Sequence, residues 1–545
     1  MKILGINAVF HDPAAALVVD GRIVAAAEEE RFTRRKHGKR PVPFSTWELP
    51  EQAASWCLEE AGLRPADLDA VAYSYDPALA PQAERDVTAG GWEGLRTLFV
   101  TRAPLFLRSA LPGLDAGRVR FVPHHLAHAA SACLAAPHET SAVMVLDGRG
   151  ERASYLAAHA CGGSLEVLAT QDLPDSLGLL YEDVTEHLGF LRSSDEYKVM
   201  ALAAYGEPAH LPLMREAVRT TETGFRTEPV DWAALAPRIE PGAEDGRWRR
   251  EHADLAASVQ ARIEEVLLEL AGRLHRQTGE RVLTMAGGVA LNCVANAVLA
   301  GAGPFDDVWV QPASGDAGTA LGAALLVAGE SGDRVEPMTT AALGRGFGER
   351  QIRDSLERAR VPFEQPPDLA AAVADVLASD GVVAWFQGRA EFGPRALGHR
   401  SLLANPARAE NLRRLNDVKG REQFRPIAPM VTDERAPDIF EGQLPSPYML
   451  FTHRVRPAWR DRIPAVVHVD GSARTQTVDR DREPLLGRLL DAFERRTGVP
   501  VLVNTSLNTA GRPMVDSPRD ALECFGSTPV DALAVGPYLV RRRAA

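Results

Sequence analysis

Residues 121–132 read FVPHHLAHAASA and place three histidines in five positions of a chain that holds fourteen. His124 and His128 stand four apart, so on a helix they share one face and can clasp one ion. Neutral imidazole is a common ligand for first-row transition metals, and two histidines with one carboxylate leave positions open for a reactant. The carboxylate that suits them is Asp316 in PASGDAGTALG, set where a strand gives way to a helix. A helix cap is an equal use for that residue. Asp147 in VLDGRGE is a second strand-end carboxylate, able to hold metal-bound water or Mg²⁺. The plain alternative for HxxxH is a helix that buries hydrogen-bonded imidazoles.

A second kind of chemistry lies further on, in WFQGRAEFGPRALGHRSLLANPARAENLRRLNDVKGREQFRPIAP, residues 385–429. Arg389, Arg395, Arg400, Arg421 and Arg425 fall there beside Lys419, and Arg474 follows in HVDGSARTQTV. Guanidinium forks match phosphate and carboxylate oxygens in bidentate pairs. Gly393, Pro394 and Gly398 fix the backbone around a charge, as a rigid anion site requires. A solvated face paired with Glu391, Asp417 and Glu422 accounts better for Arg408, Arg413 and Arg414 than for Arg395 or Arg425. The apolar run VPVLVNTSLN then delivers Asn504, Thr505 and Ser506, which can hydrogen-bond an anion or a planar amide, or simply close a turn.

Both groups need a framework. KILGI, AAALVVDG and RIVAAAEEE read as three strands, with Asp20-Gly21 as a hairpin turn. AVMVLDGRGE, ASYLAAHACGG and SLEVLATQDL repeat that design around Gly162-Gly163, so an α/β unit is duplicated and its polar loops face a cleft suited to a polyphosphate. The amphipathic run 252–276 is the clearest helix. MAGGVALNC, with Gly287, Gly288 and Asn292, joins a strand to a helix, as SGDAG does at 314–318. Together with Gly148 in DGRGE, these loops let a nucleotide approach the backbone and a helix N-terminus. Residues 327–346 lack periodicity and read as a linker. A boundary near 345 gives two domains, 1–345 and 346–545, both α/β.

The bulk properties narrow the partners. A net charge of -12 repels phosphate backbones, so no nucleic-acid substrate is expected. The five cysteines show no CxxC and no disulfide framework, which suits a reducing cytoplasm. The N-terminus does not read as a signal peptide, and no apolar run is long enough to span a bilayer. The basic stretch is local in an acidic chain and points to a small, multiply anionic substrate.

FHDPAAALVVDG, EEERFTRRKHG, HHLAHAASA, DGRGE, GGVALNC, SGDAGTALGAA, GRAEFGPRALGHRS, FRPIAP and VNTSLN together resemble the O-carbamoyltransferases of antibiotic tailoring and nodulation-factor modification. The resemblance covers nearly the whole chain. It implies a duplicated, actin-like and sugar-kinase-like first domain, similar to the tRNA threonylcarbamoyl transferase. The second domain is similar to the enzyme that makes threonylcarbamoyl-adenylate. It further implies that carbamoyl phosphate and ATP, the latter with Mg²⁺, give carbamoyl-adenylate in the second domain. A metal, Fe(II) or another divalent transition metal, then assists transfer to a hydroxyl in the first.

Carried over by position, His124, His128 and Asp316 are the metal ligands, with Asp147 beside the metal or phosphate. His11 sits by the acceptor hydroxyl, as a base or as a group that orients a phosphate. Lys36 meets the adenylate phosphate. Lys198 lies near the transfer site, although SSDEY replaces the usual glycine-rich lead to it. Arg395, Arg425, Arg474, Asn504 and Ser506 form the carbamoyl-phosphate and adenylate site. The acceptor is a small hydroxylated molecule, and segments 72–120 and 207–250 are expected to shape its pocket. Oligomeric state is open, a homodimer included. The rival readings are an actin-fold small-molecule kinase, a tRNA threonylcarbamoyl transferase and a non-catalytic nucleotide-binding regulator.

Overall fold

The structure, a computed structural model, describes residues 1–38, 48–81, 92–240 and 248–542. The chain separates into two compact units, Met1–Leu343 and Gly344–Ala545.

The first unit is built twice from one plan. Strand β1 (Lys2–Asn7) pairs antiparallel with β2 (Ala14–Val19), and β2 with β3 (Arg22–Glu28). Asp20 and Gly21 take φ of 51° and 78°, the left-handed pair that a tight hairpin needs. Strand β4 (Ala70–Tyr73) then lies parallel to β1, and β5 (Val119–Phe121) parallel to β4. The order is β3-β2-β1-β4-β5.

The second sheet repeats this with β6 (Thr140–Leu146), β7 (Ala153–Cys161) and β8 (Ser164–Asp172). A small β9–β10 hairpin (Val218–Thr220, Phe225–Thr227) follows, and then β11 (Val282–Ala286) and β12 (Asp307–Val310). Its order is β12-β11-β6-β7-β8, again with two antiparallel and two parallel pairings. Two identical five-stranded topologies in one unit are the duplicated, actin-like fold expected from the sequence.

Strands β1, β2 and β6 are almost wholly buried, because each carries a continuous run of apolar residues rather than an alternating one. Helix Ala317–Glu330 packs on β1 and β2 on one side and on helix His124–Cys133 on the other. A Cβ on Gly5 would lie 1.8 Å from the Ala320 carbonyl, and one on Gly322 would lie 1.8 Å from that of Ala127. Backbone therefore meets backbone at both faces of this helix. The helix also absorbs residues 327–330 of the expected linker, since small apolar residues carry its last turn to Glu330. The amphipathic run 252–276 lies within one 29-residue helix, Arg250–Thr278, which ends at Gly279 with φ 68°.

The second unit centres on a seven-stranded mixed sheet. Its strands are β13 (Val383–Phe386), β14 (Arg400–Ala404), β15 (Ala428–Thr432), β19 (Gln476–Val478), β20 (Val501–Ser506), β21 (Ala532–Val535) and β22 (Tyr538–Arg541). The order is β19-β15-β20-β14-β13-β21-β22. Strands β16 (Phe440–Glu441), β17 (His453–Val455) and β18 (Ser472–Ala473) form a small separate sheet. Among the described residues, no helix is long and apolar enough to cross a membrane.

Candidate active site

In the first unit, helix His124–Cys133 starts directly after Pro123, so both imidazoles lie on one face with ring centroids 4.7 Å apart. His124 and His128 are fully buried, and Asp147 and Asp316 nearly so. One ligand atom from each of the four lies within 4.8 Å of all the others. His124 Nε2 is 3.5 Å from Asp147 Oδ2 and 3.7 Å from Asp316 Oδ1; His128 Nε2 is 3.9 Å and 3.8 Å from the same atoms. These spacings are too long for good hydrogen bonds. They are close to the edge, roughly 3.4 Å, of a tetrahedron whose corners lie about 2.1 Å from one centre.

The free valences agree. His124 Nε2, both nitrogens of His128 and both carboxylate oxygens of Asp316 are buried without a hydrogen-bond partner among the described residues. Buried polar atoms are ordinarily satisfied. Asp316 begins helix Ala317–Glu330 but makes no side-chain cap bond, so the capping role does not account for it. Two imidazoles and two carboxylates are a donor set for a divalent transition metal, and the residues fit one.

Other groups hold these ligands in place, and sequence reasoning missed them. His124 Nδ1 donates to the Ser74 carbonyl at 3.2 Å, so in the neutral ring Nε2 is the lone-pair nitrogen. Glu151 Oε1 accepts from the backbone N–H of His124 and of Asp76, both at 2.8 Å. Thr319 Oγ1 lies 2.8 Å from Ser74 Oγ and 2.6 Å from the Asp316 carbonyl. Ser74 Oγ lies 3.3 Å from Asn7 Oδ1. The available signal was polar type at the ends of buried apolar strands, which Asn7 and Ser74 share.

The electrostatics follow from burial and pairing. Burial alone would lower His124, but Asp147 and Asp316 outweigh it and hold the imidazole up at about 9. Burial would raise Asp147, but the neighbouring histidines keep it well below the usual carboxylate range. His125, buried and beside His124, is pushed down to about 3.

The remaining candidates of this unit are distributed as follows. His11 Nε2 is 3.8 Å from Asp316 Oδ2, so His11 borders the cluster. Lys36 begins the short turn Lys36–Gly38 and is partly buried. The Gly288 N–H donates to Asp147 Oδ1 at 2.8 Å, and Gly287 takes φ 94° against the Leu146 backbone. The Gly148 carbonyl accepts from Ser176 Oγ at 2.8 Å. Asn292 caps helix Cys293–Ala302 through Ala295 N–H and bonds Gln260 at 2.8 Å. Lys198 pairs with Asp195 at 2.9 Å, and Ser193, in the altered lead to it, takes φ 55°. Within the segments expected to shape an acceptor pocket, 82–91 and 241–247 lie outside the described residues.

In the second unit the polar cluster surrounds the 388–400 loop and the ends of β14 and β20. Glu391, fully buried, accepts three backbone N–H bonds on Oε1: Leu397 at 2.7 Å, His399 at 3.0 Å and Arg400 at 3.1 Å. Burial would raise this carboxyl, but His399, those N–H groups and Arg400 hold it below its ordinary value. Arg400 is fully buried, lies 3.7 Å over the Phe386 ring, and donates to the carbonyls of Gln387, Gly388, His399 and Arg345. Lys419 is likewise committed, to Ser506 and Asn508.

Asn504 is buried where β20 pairs with β14 and β15, and its amide donates to the Ala396 carbonyl at 3.1 Å and to Gln476 Oε1 at 2.6 Å. Ser506 Oγ lies 2.7 Å from Asn508 Oδ1. Arg395, Arg425 and Arg474 keep part of their surface open, and Arg425 Nη1 stands 3.4 Å from Glu422. Asn504 and Arg395 are linked through the neighbouring Ala396 carbonyl.

Comparison with known proteins gives this geometry a context. The profile described as Carbamoyltransferase N-terminus matches residues 2–325, and the one described as Carbamoyltransferase C-terminus matches 374–542. Nodulation protein NolNO of Sinorhizobium fredii is 39% identical over 99% of this chain and 80% of its own length. Nodulation protein U of the same organism is 32% identical over 96% of both. A Synechocystis protein, sll1178, is 37% identical over 99% of this chain and 97% of its own. Among solved structures, T. kodakarensis HypF overlaps 60% of this chain and 47% of its own at a TM-score of 0.34 and 15% identity, too slight to carry an argument. The histidine–aspartate cluster and the arginine-bearing loop thus lie one in each of two matched segments, and the chain belongs to the carbamoyltransferase family as an enzyme that transfers carbamoyl groups.

Proposed function

We propose that the enzyme carbamoylates a hydroxyl of a small-molecule acceptor, a secondary metabolite or antibiotic precursor, and that it draws the group from carbamoyl phosphate and ATP through carbamoyl-adenylate. The observation that carries the reading is the buried cluster of His124, His128, Asp147 and Asp316, with unpartnered ligand atoms, bordered by His11 in a carbamoyltransferase. A second support is the guanidinium group of Arg395, Arg425 and Arg474 near Asn504 and Ser506, which suits two polyanions.

In the second unit, water opens carbamoyl phosphate to carbamate and phosphate. A carbamate oxygen then attacks the α-phosphorus of ATP, carried with Mg²⁺, and pyrophosphate leaves. Arg395, Arg425 and Arg474 neutralise the phosphates. In the first unit, His11 takes the acceptor's proton. The acceptor oxygen bonds to the carbamoyl carbon, the bond from that carbon to the adenylate oxygen breaks, and AMP departs. Lys36 steadies the phosphate, and Lys198 serves near the transfer site. The Gly148 and Gly287-Gly288 loops, together with Asn292, would let the nucleotide approach the backbone. His124, His128 and Asp316, with Asp147 beside them, would hold Fe(II) or another divalent transition metal. Such an ion supplies a Lewis acid that favours negative charge on the carbonyl or phosphate oxygens.

The test is mass spectrometry of products from a panel of hydroxylated acceptors with carbamoyl phosphate and ATP, alongside ATP–pyrophosphate exchange. Carbamoylated acceptor together with exchange is expected. A phosphorylated acceptor would favour the kinase reading, and exchange absent in an enzyme that still transfers would remove the adenylate.

A further inference from the structure

We propose that Asp12, together with His37, is the positioning residue that fixes the ring and tautomer of His11. This rests on the reading of His11 as the proton acceptor, and it adds two residues to which no role has yet been given.

Asp12 is the hub of a small, well-defined arrangement. Its Oδ2 lies 2.8 Å from His11 Nδ1 and its Oδ1 lies 2.7 Å from His37 Nδ1. The carboxyl is held well below the usual range: burial opposes this, but the two histidines outweigh it. An ionised carboxylate only accepts hydrogen bonds, so both Nδ1 atoms carry the protons. The lone pair of neutral His11 is therefore on Nε2, the atom that lies 3.8 Å from Asp316 Oδ2. This is the carboxylate–imidazole logic by which an acid orients a base without itself accepting the proton.

The backbone is bent to make the contact. Asp12 and His37 both take left-handed φ, 49° and 59°, although neither is glycine. Such conformations persist only where the surroundings enforce them. Asn7 Nδ2 donates to the carbonyls of His11 and Asp12 at 3.0 Å each. Glu30 Oε2 accepts from His37 N–H at 2.8 Å, and the Asp12 N–H reaches the His37 carbonyl at 3.3 Å. Asp12 thus staples the loop that bears His11 to the turn that bears Lys36. Asp12, Glu30 and His37 also have the make-up of a metal site. His37 Nδ1 is hydrogen-bonded to Asp12 at 2.7 Å and the His37 N–H to Glu30, so the hydrogen-bonded reading is preferred. The side chains of His11, Asp12 and His37 are each about a quarter exposed, which leaves His11 within reach of an acceptor.

The test compares His11→Ala, Asp12→Asn, His37→Ala and His37→Asn in the full chain. Carbamoyl transfer and pyrophosphate release are measured separately, with melting temperature as a folding control. An asparagine at 12 cannot accept from both rings. Asp12→Asn should lower kcat for transfer by about 100-fold with the acceptor KM nearly unchanged. His37→Ala should lose about tenfold, and His37→Asn, whose amide can replace the Nδ1 donor, should recover most of that. If Asp12→Asn retains kcat while His11→Ala abolishes transfer, the positioning role is wrong and the reading of His11 stands. If His11→Ala itself transfers normally, the reading of His11 falls and this inference with it. Should Asp12→Asn fail to fold, equal losses in His37→Ala and His37→Asn would overturn the proposal.

Discussion

His124 and His128 point bare Nε2 atoms toward two carboxylates, whereas Arg400, equally buried, gives both terminal nitrogens to the carbonyls of four residues. The same contrast separates Asp316, unpartnered on both oxygens, from Glu391, which gathers three N–H groups on one oxygen. A polar atom taken out of water costs free energy unless something meets it. In the first unit these atoms find no hydrogen-bond partner among the described residues. In the second, the buried charge of Arg400 and Glu391 shapes the loop, while Arg395, Arg425 and Arg474 are only partly buried.

The largest expected effect bears on the first unit. His128→Ala should abolish transfer and strip copurifying metal while pyrophosphate release persists; loss of pyrophosphate release in that variant would collapse the distinction between the units. Next comes Arg425→Ala, which should slow adenylate formation by about 100-fold with little change in melting temperature. Normal adenylation there would mean that the open guanidinium groups are not the anion site.

Arg400→Ala should act the other way, through stability. It leaves several carbonyls buried and unmet, at a cost of about 3–5 kcal/mol, seen as a lower urea midpoint. A stable Arg400→Ala that has lost only adenylation would place Arg400 with the substrate.

The smallest effect is a difference in sign between two carboxyls. Glu29 accepts from Gln52 and Ala53 N–H, yet burial, with Glu48 and Glu51 adding to it, raises it to about 7. The folded protein therefore holds that proton more tightly than the unfolded chain, whose ordinary value is 4.5. Stability falls as pH rises between these values, by up to about 3 kcal/mol. Glu29→Gln should recover stability relative to wild type at pH 8 and not at pH 4. Glu391 is shifted downward, so its stabilisation is present above its ordinary 4.5 and fades as pH falls through the depressed value. Glu391→Gln should cost most at neutral pH. Melting temperatures across pH decide both.

Much of this was legible in the chain before any coordinates. The Asp20-Gly21 turn, the repeated strand–hairpin–strand plan and the HxxxH spacing all depend on local rules, and they translate directly into sheets and a helix face. Arg400 and Arg425 could not be told apart, because guanidinium chemistry is the same in both and only the fold decides which one meets carbonyls. The partners of Lys419 in Ser506 and Asn508, and of Asn292 in Gln260, were likewise beyond local rules. Ser74 stands in no motif, and Asp12 and Glu151 stand in FHDPAAALVVDG and DGRGE without a role read from them; their use arises from contacts across 25 to 75 residues of sequence.

One packing detail sets a limit on how this enzyme can diversify. Helix Ala317–Glu330 touches β1 through Gly5 and helix His124–Cys133 through Gly322, with no side chain between. Asp316 stands at the head of that helix, so the carboxylate and the two imidazoles share a frame without shims: thickening either contact by one methyl group would displace one ligand against the others. The distance across the cluster is thus set by bare backbone contact, with no side chain to absorb a change.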